Sequence, residues 1–199
     1  GQIPLSMMRL PVDYLSASAH KFHGPKGVGF LYARKNQDLS SFIHGGSQER
    51  GKRAGTENVA GIVGMAQALV IAAQEMPYTR GKLTRLRNYF VERVRHEIPN
   101  IRLNGHPYKR LPGNVNFSIE GIDATALLVL LEEEGICASA GSACNTGQTR
   151  ISHVIEAIRV PENYAAGSVR FTMGRDTTRR DVDACVDALK RCVIILRQG

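Results

Sequence analysis

Two short apolar runs, Val12 to Leu15 and Val28 to Tyr32, flank the segment Ser18-Ala-His20-Lys21-Phe-His-Gly24-Pro25-Lys26-Gly27-Val-Gly29. The runs predict short buried strands. The stretch between them, rich in glycine and proline, predicts a tight turn whose backbone comes close to another group. Lys21 then stands at a strand end, in a loop. A lysine held so, with its charge disfavoured by burial, can condense with an aldehyde to form a Schiff base. The residues alone leave a second reading open, a surface turn with one exposed lysine.

The 199 residues suffice for one large or two small domains, and 43% hydrophobic with 22% charged residues is ordinary globular material. The net charge of +8 raises the question of an acidic partner. The basic residues are spread from Arg9 to Arg197, however, and the densest group, Arg80 to Arg95, fits the solvated face of a helix. With no aromatic-rich RNA motif or zinc-finger spacing, the expectation is surface charge with some anion-binding loops, and no nucleic acid. No apolar run approaches the roughly 20 residues of a membrane helix, so no membrane partner is expected. Residues 1–15 hold Pro4, Pro11 and Asp13 without a long apolar core, unlike a signal peptide. The four cysteines, Cys137, Cys144, Cys185 and Cys192, are too scattered for a disulfide scaffold and form no Cys-x-x-Cys pair. A reducing, cytoplasmic compartment and no metal site are expected.

Along the chain, residues 1–35 read as strand, lysine turn, strand, and residues 39–58 as a loop rich in glycine and arginine. Val59 to about Gln74 reads as a buried helix of small and apolar residues, interrupted at Met76-Pro77-Tyr78. That break sets the expected domain boundary, 1–77 and 78–199. An amphipathic helix follows, with Leu83, Leu86, Phe90 and Val94 on one stripe, ending before Pro99. Val115, Phe117 and Ile119 alternate with Asn116 and Ser118 as in a half-buried strand. Asp123 suits the cap of a helix whose face is Ala124, Leu127, Leu128 and Leu131. Ile136 to Ala138 reads as a short strand. Thr178 with Asp181 resembles a capping box for a last helix with the stripe Val182, Cys185, Val186, Leu189, Val193 and Leu196. Cys185, Cys192 and Cys137 are expected in the core.

Three further segments carry chemistry. Gly45-Gly-Ser-Gln48-Glu49-Arg50-Gly51-Lys-Arg53-Ala-Gly55-Thr56-Glu-Asn58 is a basic glycine loop suited to an anion. Ala138-Ser-Ala-Gly141-Ser142-Ala143-Cys144-Asn-Thr-Gly147 predicts an open, mobile loop, with Cys144 as its reactive thiol. In Gly167-Ser168-Val-Arg170-Phe-Thr-Met-Gly174-Arg175, strand alternation turns Arg170 away from Val169 and Phe171, toward a cleft or out from an edge strand.

With the lysine turn, these segments resemble the cysteine desulfurases, class V members of the fold-type-I pyridoxal-phosphate enzymes. The family's Ser-x-His-Lys followed by Gly-Pro-Lys-Gly-x-Gly is met by Ser18, His20, Lys21, Gly24, Pro25, Lys26, Gly27 and Gly29. The resemblance implies an α/β fold: the C-terminal part of a fold-type-I transferase, with the end of the large parallel-sheet cofactor domain followed by a small α/β domain. It implies that Lys21 holds pyridoxal 5'-phosphate, that Ser18 and His20 hold its phosphate, and that Thr56 serves the phosphate of a neighbouring subunit. It further implies that Arg170 pairs with the substrate carboxylate. It implies, too, that Cys144 takes sulfur from L-cysteine, leaving L-alanine and a persulfide that passes to a sulfur acceptor or scaffold protein for iron-sulfur cluster or thio-cofactor assembly. A homodimer is implied, and a separate N-terminal half, since the family carries its ring-stacking histidine and pyridine-pairing aspartate ahead of the matched part. The alternatives are a selenocysteine lyase, another class V enzyme, or an inactive fragment that serves as a binding or dimerisation module. His23, His44, His96, His106 and His153 receive no role.

Overall fold

The computed structural model describes residues 1–140 and 151–198. Its Cα packing divides the chain into two compact units, Gly1–Pro77 and Tyr78–Gly199.

In the first unit, β1 (Tyr14–Ser18) and β2 (Gly29–Ala33) form an antiparallel pair, with Tyr14 opposite Ala33 and Ser18 opposite Gly29. Both strands alternate between exposed and half-buried residues, so the fully buried strands expected from their apolar runs are not formed. A single helical turn, Ala19–Phe22, follows β1 directly. Arg34 ties the segment before β1 to the end of β2 by donating to the carbonyls of Val12, Met7 and Leu10. The glycine loop contains a tight turn at Gln48–Gly51 in which Glu49 and Arg50 both take left-handed backbone angles, φ 49° and 58°. Such angles are uncommon outside glycine.

The helix α1 (Val59–Glu97) starts in the first unit and continues into the second. The expected interruption at Pro77 is absent. Proline forfeits one backbone bond and crowds the carbonyl four residues earlier, a cost of about 3 kcal/mol. That cost is local. Alanines on one side, and a packed stripe on the other, propagate helix up to it. The early part of α1 is also not buried as expected: Val59 is 65% and Val63 62% exposed. By length and composition alone α1 reaches what a membrane-crossing helix needs. This corrects the expectation that no such run exists; glycines, alanines and glutamines interspersed among the apolar residues disguise it.

The second unit is built on an antiparallel sheet in the order β3 (Ile101–Leu103), β4 (Asn114–Ile119), β5 (Ser168–Thr172). One sheet face carries Val115, Phe117, Ile119, Val169 and Phe171, all buried. The expected stripe of α1 packs on it, with the Phe90 ring edge-on to Phe117 at 5.7 Å and to Phe171 at 5.3 Å. Such aromatic pairs add about 0.5–1.5 kcal/mol beyond burial. Two more helices complete this core, α2 (Ala124–Glu133) and α5 (Arg179–Gln198). Asp123 caps α2, its carboxylate accepting from the amides of Thr125 and Ala126. Thr178 and Asp181 close the capping box of α5, Asp181 accepting from the Thr178 amide at 2.7 Å and Thr178 Oγ1 accepting from the Asp181 amide at 3.3 Å. Two short helices, α3 (His153–Ala157) and α4 (Glu162–Ala165), share a small cluster of Ile155, Val160 and Ala165. The chain is a mixed α/β fold, and every strand pair among the described residues is antiparallel.

Candidate functional site

The lysine turn is built by Ala19. Its amide donates to the Val28 carbonyl at 3.0 Å, and its carbonyl accepts from the Gly24 amide at 2.9 Å. These bonds fold the segment back so tightly that a Cβ at Gly24 would lie 2.9 Å from the Ala19 side chain. A Cβ at Gly29 would collide with the Ala17 carbonyl oxygen. Ala19 and Phe22 turn inward and are buried, while Ser18, His20 and Lys21 are exposed. Lys21 thus sits on a helical turn rather than in a loop, and the burial expected of it is not present. Ser18 stands at the N-terminus of that turn, yet its hydroxyl makes no capping bond. Hydroxyl, imidazole and amine are therefore offered together by four consecutive residues. That set suits a group with an aldehyde for the amine and a phosphate for the hydroxyl and the ring nitrogen.

The glycine loop is held by its own hydrogen bonds. The Gly55 amide donates to Gln48 Oε1 at 3.2 Å, Lys52 Nζ to the Leu39 carbonyl at 2.8 Å, and the Ala54 amide to the Ile43 carbonyl at 3.2 Å. Thr56 follows, exposed. Arg50 and Arg53 are exposed as well.

Arg170 belongs to the second unit. It lies in β5 opposite Asn116 of β4, on the face turned away from Phe117 and Phe171. That face is polar. Asn104 Nδ2 donates to Asn116 Oδ1 at 2.6 Å and to Ser118 Oγ at 2.7 Å, and Ser168 Oγ donates to Asn116 Oδ1 at 3.2 Å. Arg170 itself is half-buried, and its Nη2 donates to Ser139 Oγ at 3.1 Å. Among the described residues it has no carboxylate partner; the arginines with one are Arg93, Arg175 and Arg191. A half-buried guanidinium with a neutral partner can receive an anion.

The segment from Ile136 to Ala138 is not the expected strand. Only Ser139 pairs with β5, through one bridge to Arg170. In consequence Cys137 is exposed rather than in the core. Cys192 is buried and Cys185 half-buried, in line with the α5 stripe. Burial pushes the Cys185 thiol up to about 12 and raises that of Cys192. Cys144 and its loop lie outside the described residues. The Ser139–Arg170 pairing could not be read from the sequence, since no local spacing links residues 31 positions apart. Its one trace there was a serine among small residues ahead of Cys144.

The family model of class-V aminotransferases matches residues 1–185. Cysteine desulfurase IscS of Dictyoglomus turgidum is 49% identical over 99% of this chain and 50% of its own length. Cysteine desulfurase IscS of Methanosarcina thermophila is 44% identical over 99% of the chain and 48% of its own length. A solved NifS-like protein superposes with a TM-score of 0.87 at 36% identity, over 98% of this chain and 50% of its own. The chain spans about half the length of the relatives it matches. The match over residues 1–185, most of the chain, places this chain in the class-V aminotransferase family.

Proposed function

We propose that this chain carries the C-terminal half of a pyridoxal-phosphate-dependent cysteine desulfurase, with residues 1–77 closing the large cofactor domain and 78–199 forming the small domain. The observation that supports it best is the reach of the likeness. The similarity to the cysteine desulfurases runs over 99% of the chain, and so through the lysine turn, the glycine loop, the cysteine segment and the strand of Arg170.

Lys21 would hold the cofactor, with Ser18 and His20 at its phosphate and Thr56 at that of the second subunit in a homodimer. When bound, pyridoxal phosphate supplies an electron sink for the bond changes at the amino acid's α- and β-carbons. Arg170 binds the α-carboxylate of L-cysteine and so fixes which face of the substrate meets Lys21. Lys21, as a free amine, moves the α-proton. Cys144, as thiolate, attacks the substrate sulfur: the carbon–sulfur bond breaks, a sulfur–sulfur bond forms, and L-alanine leaves with a proton in place of sulfur. The Cys144 persulfide then passes to an acceptor protein in the cytoplasm, for iron-sulfur cluster or thio-cofactor assembly.

The test is borohydride reduction of the enzyme loaded with pyridoxal phosphate, followed by peptide mapping, together with an alanine assay on L-cysteine. Cofactor fixed on Lys21 and alanine formed in step with released sulfur are expected. Fixation on Lys26, or no alanine, would refute the assignment.

A further inference from the structure

Among the described residues, the side chain that grips the Arg170 guanidinium is that of Ser139. Ser139 and Arg170 exchange both main-chain hydrogen bonds, Arg170 amide to Ser139 carbonyl at 2.7 Å and Ser139 amide to Arg170 carbonyl at 3.1 Å. Partners in such a pair project their side chains on the same face. Arg170 Nη2 accordingly donates to Ser139 Oγ at 3.1 Å. On the opposite flank stands Asn116, whose own Oδ1 already accepts from Asn104 and Ser168.

We propose that Ser139 is a positioning residue for substrate binding: its hydroxyl fixes the plane of the Arg170 guanidinium so that the remaining N–H groups meet the carboxylate of an α-amino acid. This rests on the reading of Arg170 as the carboxylate receptor. The physical reason lies in the geometry of the fork. An arginine has five N–H donors in one rigid plane, and two parallel ones are needed to grip a carboxylate. One bond to Ser139 takes a single donor and stops the plane from turning. Without it the arginine keeps its charge but must be ordered by the substrate itself, which weakens binding without touching the chemical step.

The experiment is steady-state kinetics of the holoenzyme with Ser139→Ala, Ser139→Thr and Arg170→Gln. Ser139→Ala should raise the KM for L-cysteine about three- to tenfold, the range set by one ordering hydrogen bond, with kcat within about twofold. It should raise the inhibition constant of L-alanine equally, and leave that of cysteamine, which lacks the carboxylate, unchanged. Ser139→Thr keeps the hydroxyl and should restore both. In the 199-residue chain itself, nitrogen-15 NMR should find rotation of the Arg170 guanidinium slowed, and Ser139→Ala should release it. The main-chain pairing needs no hydroxyl, so the alanine variant should keep the fold. Unchanged KM in Arg170→Gln would refute the carboxylate reading itself. A raised KM in Arg170→Gln with unchanged KM and unchanged rotation in Ser139→Ala would refute the role of Ser139 alone. An equal rise for cysteamine, or no rescue by threonine, would reduce Ser139 to a structural residue.

Discussion

The two units hold their candidate site residues by different means. In Tyr78–Gly199, Arg170 rides on a sheet whose reverse face is sealed by Phe90, Phe117, Phe171, Leu127 and Leu189. In Gly1–Pro77 the buried hydrophobic residues are Ala19, Phe22 and Ala54. Phe42, at 93% exposure, and Met8, at 95%, lie outside. Lys21 and Thr56 are therefore held by hydrogen bonds, glycines and left-handed turns rather than by a core. Ordering each residue costs about 1–2 kcal/mol of backbone entropy. Three buried hydrophobic residues, two of them alanines, offset little of that, so the first unit is expected to carry less stability of its own. The lesson is that Arg170 sits on a self-sufficient sheet, whereas the lysine turn is geometrically exact yet energetically thin.

The largest expected effect follows from this contrast. Phe117→Ala should cost about 3–5 kcal/mol in urea denaturation, as removal of a fully buried ring does. Phe42→Ala in the first unit should change stability by less than about 0.5 kcal/mol. Equal costs would erase the distinction. Hydrogen exchange sharpens it: amides of β4 and β5 should exchange only on global unfolding, and those of β1 and β2 by local opening at much lower free energy.

Next in size is Asp123→Ala. Loss of the two cap bonds to Thr125 and Ala126 should cost about 1 kcal/mol by the same denaturation. Thiol labelling distinguishes environments within the second unit. Iodoacetamide should modify Cys137 well before Cys185 and Cys192, because Cys137 is exposed while burial raises the thiols of the other two. Faster labelling of Cys192 would contradict the packing of α5.

The smallest effect concerns pH. Asp183 accepts from Tyr89 Oη at 2.5 Å and pairs with Arg93 Nη1 at 2.8 Å, and these bonds hold its carboxyl below the ordinary value of 3.8. A carboxyl lowered in the folded state stabilises the fold above the unfolded value. That contribution is lost as pH falls through the folded one. The urea midpoint should therefore decline on acidification below about pH 4, and Asp183→Asn should flatten part of the decline. A midpoint whose acid slope is unchanged in Asp183→Asn would assign the decline to other carboxylates.

Much of the second unit was legible because its signals are local. The Asp123 cap, the Thr178–Asp181 box and the α5 stripe are each set within a few residues. What escaped was non-local. Pro77 reads as a break because proline opposes helix locally, whereas the helix on either side of it runs through. Cys137 reads as core because an apolar tripeptide suggests a strand, but among the described residues no strand pairs with Ile136 to Ala138, and the bridge to β5 is made by Ser139. The burial of Lys21 failed for a related reason: an apolar run signals a strand, but what covers that strand is set by distant chain. The residue types of the candidate site were readable in sequence order. The pairing of Arg170 with Ser139 was not.

The most direct test of the proposed desulfurase activity is where the sulfur goes. The holoenzyme is given L-cysteine, alkylated without reductant, and mapped by mass spectrometry for one added sulfur atom. Sulfur on Cys144, and its loss in Cys144→Ala with cofactor binding on Lys21 intact, is the expected result. Sulfur carried by the exposed Cys137, or alanine formed at the same rate in Cys144→Ala, would contradict it.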